Sequence, residues 1–362
     1  MRKLGGLAVS SALLLALSGC APAIVYPSAT PVNVTACLLT QTDSAAINGI
    51  NQELEYSLVQ AEVVSGVHIH ATSVASWAEP RQVSAKFRAL LGKGCNLVFS
   101  VGSTILPTAN AFALRHREAR FINFGGGKAL ENRAANLTII HLDAAEGAYL
   151  AGYLAAAQST SKVIGTFAAA NFDNALNLMA AFKQGAERYA AATNTSVRVL
   201  GAETEDTKLW QISQSAGVEF GALKIAQSQV EFSADVIVPF VGSNAAKFID
   251  DFDSTRAGPR PRIIGVGGDW SKLVAFNGHQ GAMLSSIRFN LKSYVLNIVG
   301  ESFGSLDQMR GPYDFTTTLS NGEVSLVAEQ KVPWVGNTAD TIASIRDDII
   351  AGRTVINAAS NN

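Results

Sequence analysis

The sequence is poor in cysteine, has almost no net charge, and carries no later apolar run long enough to cross a bilayer. Its three cysteines stand at 20, 37 and 95, so at most one intrachain pair remains beyond Cys20. A formal net charge of -1 in 362 residues offers no electrostatic footprint for nucleic acid. After residue 17 each apolar stretch is interrupted by Lys, Arg, Asp, Asn or Gly, short of the ~20 residues a membrane span needs. Enzyme signatures are equally sparse. No Gly-x-Ser-x-Gly elbow occurs, and Gly125-Gly126-Gly127 lacks the Gly-x-Gly-x-x-Gly spacing of a phosphate cradle. His68 and His70 share a strand face but have no convergent third ligand for zinc. The expectation is a protein that is not an enzyme and holds no cofactor or metal.

What is present begins at the first residue. Met1-Arg2-Lys3 is a short positive start, Leu4 to Leu17 is apolar and small, and Leu17-Ser18-Gly19-Cys20 follows. This order describes a secretory signal over 1–19. Its Leu-Ser-Gly-Cys end resembles the lipobox of bacterial lipoproteins, which implies cleavage before Cys20 and a lipid on that cysteine. Two or more acyl chains anchor stably where one does not. Residues 20–32 carry three prolines and no charge, and read as a tether. The expected location is the extracytoplasmic side of the cell membrane.

The body then alternates. Strand patterns at 34–40, 63–72, 96–102, 120–126, 162–169, 196–203, 234–242, 262–268 and 283–290 are separated by segments of helical period. Such alternation predicts α/β structure with parallel sheets covered on both faces. Two runs in series predict two doubly wound lobes with a hinge and a cleft between them. The expected division is lobe 1 at 33–142 plus about 268–315, lobe 2 at 143–267 plus about 316–330, and a C-terminal helical segment at 331–362. Ligands of open α/β sheets bind outside the carboxyl ends of the strands.

Several blocks resemble one known family. NLTIIHLDAAEGAYLAGYLAA (136–156) is the most specific, supported by SKVIGTFAAANF (161–172), AAFKQGA (180–186), RIIGVGGDW (262–270), MLSSIRFN (283–290) and IIAGRTVIN (349–357). They are similar to the basic membrane protein family, the purine-nucleoside-binding lipoproteins of ABC-type uptake systems. The resemblance implies a type I periplasmic-binding-protein fold with three crossovers, a nucleoside-like ligand and an ABC permease as partner.

The chain departs from that family where ligand is held. Gln41 stands at the place of an Asp, with Asp43 nearby, and Ile50-Asn51-Gln52 replaces Phe-Asn-Gln. Gly267 replaces an Asp, Asp269 matches the next acidic position, and Leu178 replaces a Phe. Phe289 aligns with a Lys, beside Arg288. Candidate ligand-binding positions are therefore Gln41, Asp43, Asn51, Gly102, Ser103, Gly125, Asn171, Phe172, Gly242, Ser243, Gly267, Asp269, Trp270 and Phe289. Phe172 and Trp270 follow strand ends, where either ring could stack a base or sugar or else pack between lobe and helix. The leading expectation is a monomeric solute receptor that touches the membrane only through its lipid. The alternative is a surface sensor of the same fold for a sugar or other small polar ligand. For Cys37 and Cys95, the stagger along neighbouring strands implies roughly 10 Å at ~3.3 Å per residue. That exceeds what a disulfide accepts, and favours two separately buried thiols over a bond.

Overall fold

The computed structural model describes residues 33–42, 48–75, 78–126, 130–169, 174–202, 211–212, 218–241, 260–270, 281–304, 313–328 and 333–357. The signal, tether and lipidation readings, Cys20 included, lie outside the described residues.

Two sheets divide the chain. The first contains β1 (Thr35–Thr42), β2 (His68–Ala75), β3 (Leu97–Val101), β4 (Arg120–Phe124), β5 (Leu137–His141) and β12 (Asp314–Thr316), in the order β12-β5-β4-β3-β1-β2. All its pairings are parallel. The second has the order β13-β11-β10-β9-β6-β7. Its strands are β6 (Val163–Ala169), β7 (Arg198–Leu200), β9 (Val236–Phe240), β10 (Arg262–Gly267), β11 (Met283–Phe289) and β13 (Val324–Ala328). A two-residue β8 (Gln211–Ile212) also pairs with β6, and β13 alone runs antiparallel. The five residues of β3, of β4 and of β9 are all buried, as strands covered on both faces must be.

Helices cover the sheets: α1 (Asn48–Ser65), α2 (Pro80–Leu91), α3 (Leu106–Ala113), α4 (Ala145–Gln158), α5 (Ala175–Thr193), α6 (Val218–Glu231), α7 (Lys292–Gly304) and α8 (Thr338–Ile350). In α1 the buried residues Ile50, Leu54, Leu58 and Ala61 form one helical stripe against the first sheet. The helix runs further than the apolar pattern at 63–72 suggests. Val63 and Val64 are exposed on its last turn, and the strand starts only at His68. The Gly66 N–H closes the helix on Glu62 O at 2.8 Å.

Helix α4 is buried on nearly every side and packs tightly on α5. Gly152 meets the Phe182 carbonyl and Gly185 meets the Tyr149 carbonyl, so a methyl group at either would overlap backbone of the partner helix. Helix α8 packs on α4, and side-chain hydrogen bonds tie it and the tail after it to α5. Arg188 bonds Asp348 at 2.9 Å and Thr354 at 2.7 Å, while Gln184 and Asn357 exchange bonds of 2.8 and 3.0 Å. Hydrogen bonds from Arg188 and Arg353 hold the Asp348 carboxyl below the usual range.

The lobes exchange the chain three times. The crossings follow β5, β11 and β12, so both sheets turn their carboxyl ends toward the junction. This corrects the expected division, in which 268–315 belonged to the first lobe. Residues 283–289 are β11 of the second sheet, paired in parallel with β10, and the return falls at Asn290. Asn290 marks the turn by donating its N–H to Glu323 O at 2.8 Å and its side chain to Gly322 O at 2.9 Å. The first and third crossings are tied by Thr317, which donates to Asp143 O at 3.0 Å, and by Glu146, which accepts from the Leu319 N–H at 2.6 Å.

The cysteine reading is also corrected. Cys37 and Cys95 form a disulfide, with Cα atoms 5.8 Å apart. The stagger estimate fails because Cys95 lies outside β3, on a chain that is not extended. Residues 92–94 turn, the Cys95 N–H points back to Leu90 O, and Asn96 sits level with Thr35 through a reciprocal pair of bonds at 3.2 and 2.9 Å. Cys95 therefore curls over the side of β1 that Cys37 faces.

Candidate functional site

The strand order of each sheet reverses once, between β1 and β3 in the first lobe and between β6 and β9 in the second. Such switch points open a crevice at the carboxyl ends of the strands.

In the first lobe this crevice is floored by carboxamides. Gln41, near the end of β1, is buried and donates through Nε2 to Thr104 Oγ1. Asn51, on the first turn of α1, is 8% exposed and donates through Nδ2 to Gln41 O at 2.9 Å. Its Oδ1 is buried and has no partner among the described residues. Next to this pair, the loops after β3 and β4 lie against each other. A methyl group at Gly125 would come within 3.5 Å of Gly102 Cα and Ser103 N. Gly102 and Gly125 have φ of 118° and 99°, the left-handed region that side chains disfavour. Asn123 fixes the arrangement from below. It accepts from Ser100 Oγ at 2.7 Å and donates to Gly125 O at 2.7 Å and Gly102 O at 3.4 Å. Five of the expected positions, Gln41, Asn51, Gly102, Ser103 and Gly125, are thus brought together.

Three neighbours of this cluster carry no mark in the sequence analysis: Thr104, Asn123 and Ser100. Ser100 and Asn123 did leave a signal. They are the polar residues inside the apolar strands LVFSV and RFINF, and they face each other in register.

The second lobe contributes the turn after β10. Gly267 has φ of 99°, and Gly268 touches the first turn of α1 across the lobes, its nitrogen 2.9 Å from where a Gly49 methyl would sit. Asp269 is half-buried beside it.

Trp270 corrects an expectation. It is fully buried with Phe167, Leu200, Ile237, Ile263 and Met283, and its ring covers Gly265. Its Nε1–H donates to Val266 O at 3.0 Å and its backbone N–H to Ser286 Oγ at 3.1 Å, so no face of the ring is left to stack a ligand. Phe289 is likewise core, buried with Ile287, Leu291 and Val324. Phe289 shares its strand face with Ile287 and so turns inward, while Arg288 between them takes the opposite face, since neighbours on a strand face opposite ways. Asp43, Asn171, Phe172, Gly242 and Ser243 lie outside the described residues.

The chemistry this floor supports is hydrogen bonding. Among the described residues, Gln41, Asn51, Ser103 and Thr104 supply neutral donors and acceptors. Among the described residues there is also no group of three or more His, Cys, Asp or Glu placed to hold a metal ion. No helix among them is long and apolar enough to cross a membrane. A separate cavity of about 310 Å³ opens beside the first crossing, lined by Asp143, Glu146, Asn174, Asn177, Thr354 and Asn357 among others.

Comparison with known proteins agrees with this layout. A family model described as ABC transporter substrate-binding protein, PnrA-like, matches residues 42–303. Among curated proteins no sequence match is found. The solved structures it resembles include an ABC transporter solute-binding protein from Aeropyrum pernix K1, with a TM-score of 0.69 and 14% identity over 91% of this chain and 94% of that one. A transcriptional activator of the comK gene from Bacillus halodurans gives a TM-score of 0.65 and 16% identity, over 89% of this chain and 100% of that one. A periplasmic solute-binding protein from Actinobacillus succinogenes 130z, solved with bound D-allose, gives 0.55 and 14%, over 82% and 98%. At these identities the likeness is one of fold, and that fold is the type I periplasmic-binding-protein fold.

Proposed function

The chain belongs to the PnrA-like family of ABC transporter substrate-binding proteins, and on that premise we propose that it captures a nucleoside-like ligand in the interlobe cleft and delivers it to an ABC permease. The observation that carries this reading is the carboxamide floor at Gln41 and Asn51, where a buried amide oxygen has no partner among the described residues. A buried acceptor left unmade costs about 1–3 kcal/mol. A neutral ligand rich in N–H and O–H donors recovers that cost on binding, and nucleosides are such ligands. An anionic ligand finds no unpaired cation among the floor residues named above. The site works by holding and releasing, and we assign it no reaction. The chain works outside the cytoplasmic membrane, tethered through lipid on Cys20, with residues 21–32 as the spacer.

The experiment is a thermal-shift and calorimetric screen of the purified protein against purine and pyrimidine nucleosides, free nucleobases and sugars. A ligand at about 100 times its dissociation constant stabilises by ~2.7 kcal/mol. A shift with nucleosides supports the reading. A flat response across all nucleosides sinks it, and a response to sugars alone replaces it with a sugar receptor.

A further inference from the structure

We infer that Glu53 and Arg288 form a clasp that holds the two lobes together before any ligand enters. Glu53 lies on α1, which packs on the first sheet, and Arg288 lies on β11 of the second. Arg288 Nη2 stands 3.1 Å from Glu53 Oε1 and 3.2 Å from Oε2, so one nitrogen is shared by both carboxylate oxygens. The carboxylate is mostly buried, with its side chain 12% exposed against 30% for the arginine.

Two features make this pair an interlobe device and not a chance surface contact. First, Gly49 and Glu53 are four residues apart, so they share one face of α1. That face meets lobe 2 twice: Gly49 rests on the Gly268 backbone and Glu53 reaches Arg288. Second, strand parity dictates where Arg288 points. Ile287 and Phe289 turn into the core, so Arg288 takes the opposite face, the one Ser286 uses to accept the Trp270 N–H. A cation at 289 would sit on the core face instead. The pair therefore acts on lobe spacing, and Arg288 is a positioning residue with no ligand contact required of it.

A partly buried pair is screened less than an exposed one but still weakens with salt. Removing it should raise the ratio of open to closed molecules about three- to tenfold. The test uses the full chain without any ligand. Nitroxide labels are attached through ketone-bearing residues in place of Ala89 on α2 and Ala191 on α5, both exposed, and the interlobe distance is read by pulsed electron resonance. Glu53→Gln and Arg288→Met are each expected to move population to longer distances, and the double reversal Glu53→Arg with Arg288→Glu to return it. Raising salt from about 0.05 to about 1 M should open the wild type and leave the single variants unchanged. Distance distributions that superimpose for wild type and both single variants overturn the inference. If a single variant does not fold, the wild-type salt series decides alone, and no shift there overturns it equally. Because no ligand is present, either result leaves the question of what the cleft binds untouched.

Discussion

Asn51 donates an amide N–H to the Gln41 carbonyl, while its own buried oxygen has no partner among the described residues. Asn51→Ala removes a satisfied donor and an unsatisfied acceptor together. These terms oppose each other, so unfolding in urea should change by no more than about 1 kcal/mol. Ligand affinity, measured by calorimetry on whichever nucleoside binds, should fall more than about tenfold, which is 1.4 kcal/mol or more. A large loss of stability with unchanged affinity would return Asn51 to a purely architectural part.

Trp270→Ala should destabilise the protein by about 3–5 kcal/mol, the cost of emptying a large buried site. Trp270→Phe keeps most of the volume and should cost less. If the variant is folded enough to assay, its ligand-induced thermal shift should match wild type. A selective loss of binding in a fully stable Trp270→Phe protein would contradict the packing described above.

Gly185→Ala places a methyl group on the Tyr149 carbonyl at the α4–α5 contact. Overpacking of this kind costs about 1–3 kcal/mol. Chemical denaturation of this variant beside Gly281→Ala, where the added atom meets nothing within 4 Å, separates crowding from the loss of a glycine.

Replacing Cys37 and Cys95 by Ala together should lower stability by roughly 4 kcal/mol in the chain-entropy account, since the bond closes a long loop with a sequence separation of 58. Mass mapping of proteolytic peptides with and without reductant checks the bond itself. Free thiols at both positions in protein isolated from an oxidising compartment would refute it.

The tie between α8 and α5 should weaken in acid. The Asp348 carboxyl is held low by Arg188 and Arg353, so its folded pKa lies beneath its unfolded value. Its stabilising share is complete above the unfolded value near 3.9 and is lost as pH falls through the folded one. Hydrogen exchange in α8 should accelerate below about pH 4, and Asp348→Asn should show that faster exchange already at neutral pH.

Much of this architecture is legible in the sequence. Apolar strands alternating with helical periods predict two doubly wound lobes; strand ends mark Gln41, Gly102, Ser103 and Gly125, while Asn51, on a helix, is marked only by the family resemblance. What went astray has one physical root. Sequence position locates a residue along a strand but not the face it takes or the path the chain follows beyond it. Trp270 and Phe289 stand where a ligand contact was expected, yet their neighbours' packing turns both inward. Cys95 was counted as extended chain when it curls back. Ser100 and Asn123 needed the register of β3 against β4 to show that they meet.

Neither lobe is one continuous piece of the gene. The first sheet waits for Asp314–Thr316 to supply its edge, and the second waits for Val324–Ala328. During export, therefore, the first half cannot be finished until residue 316 has emerged nor the second until residue 328, and both are completed almost together. A premature stop before residue 314 leaves two incomplete bodies where a bead-like protein would keep one whole. Recombination between relatives likewise cannot exchange a lobe with a single cut; it takes breakpoints at all three crossings.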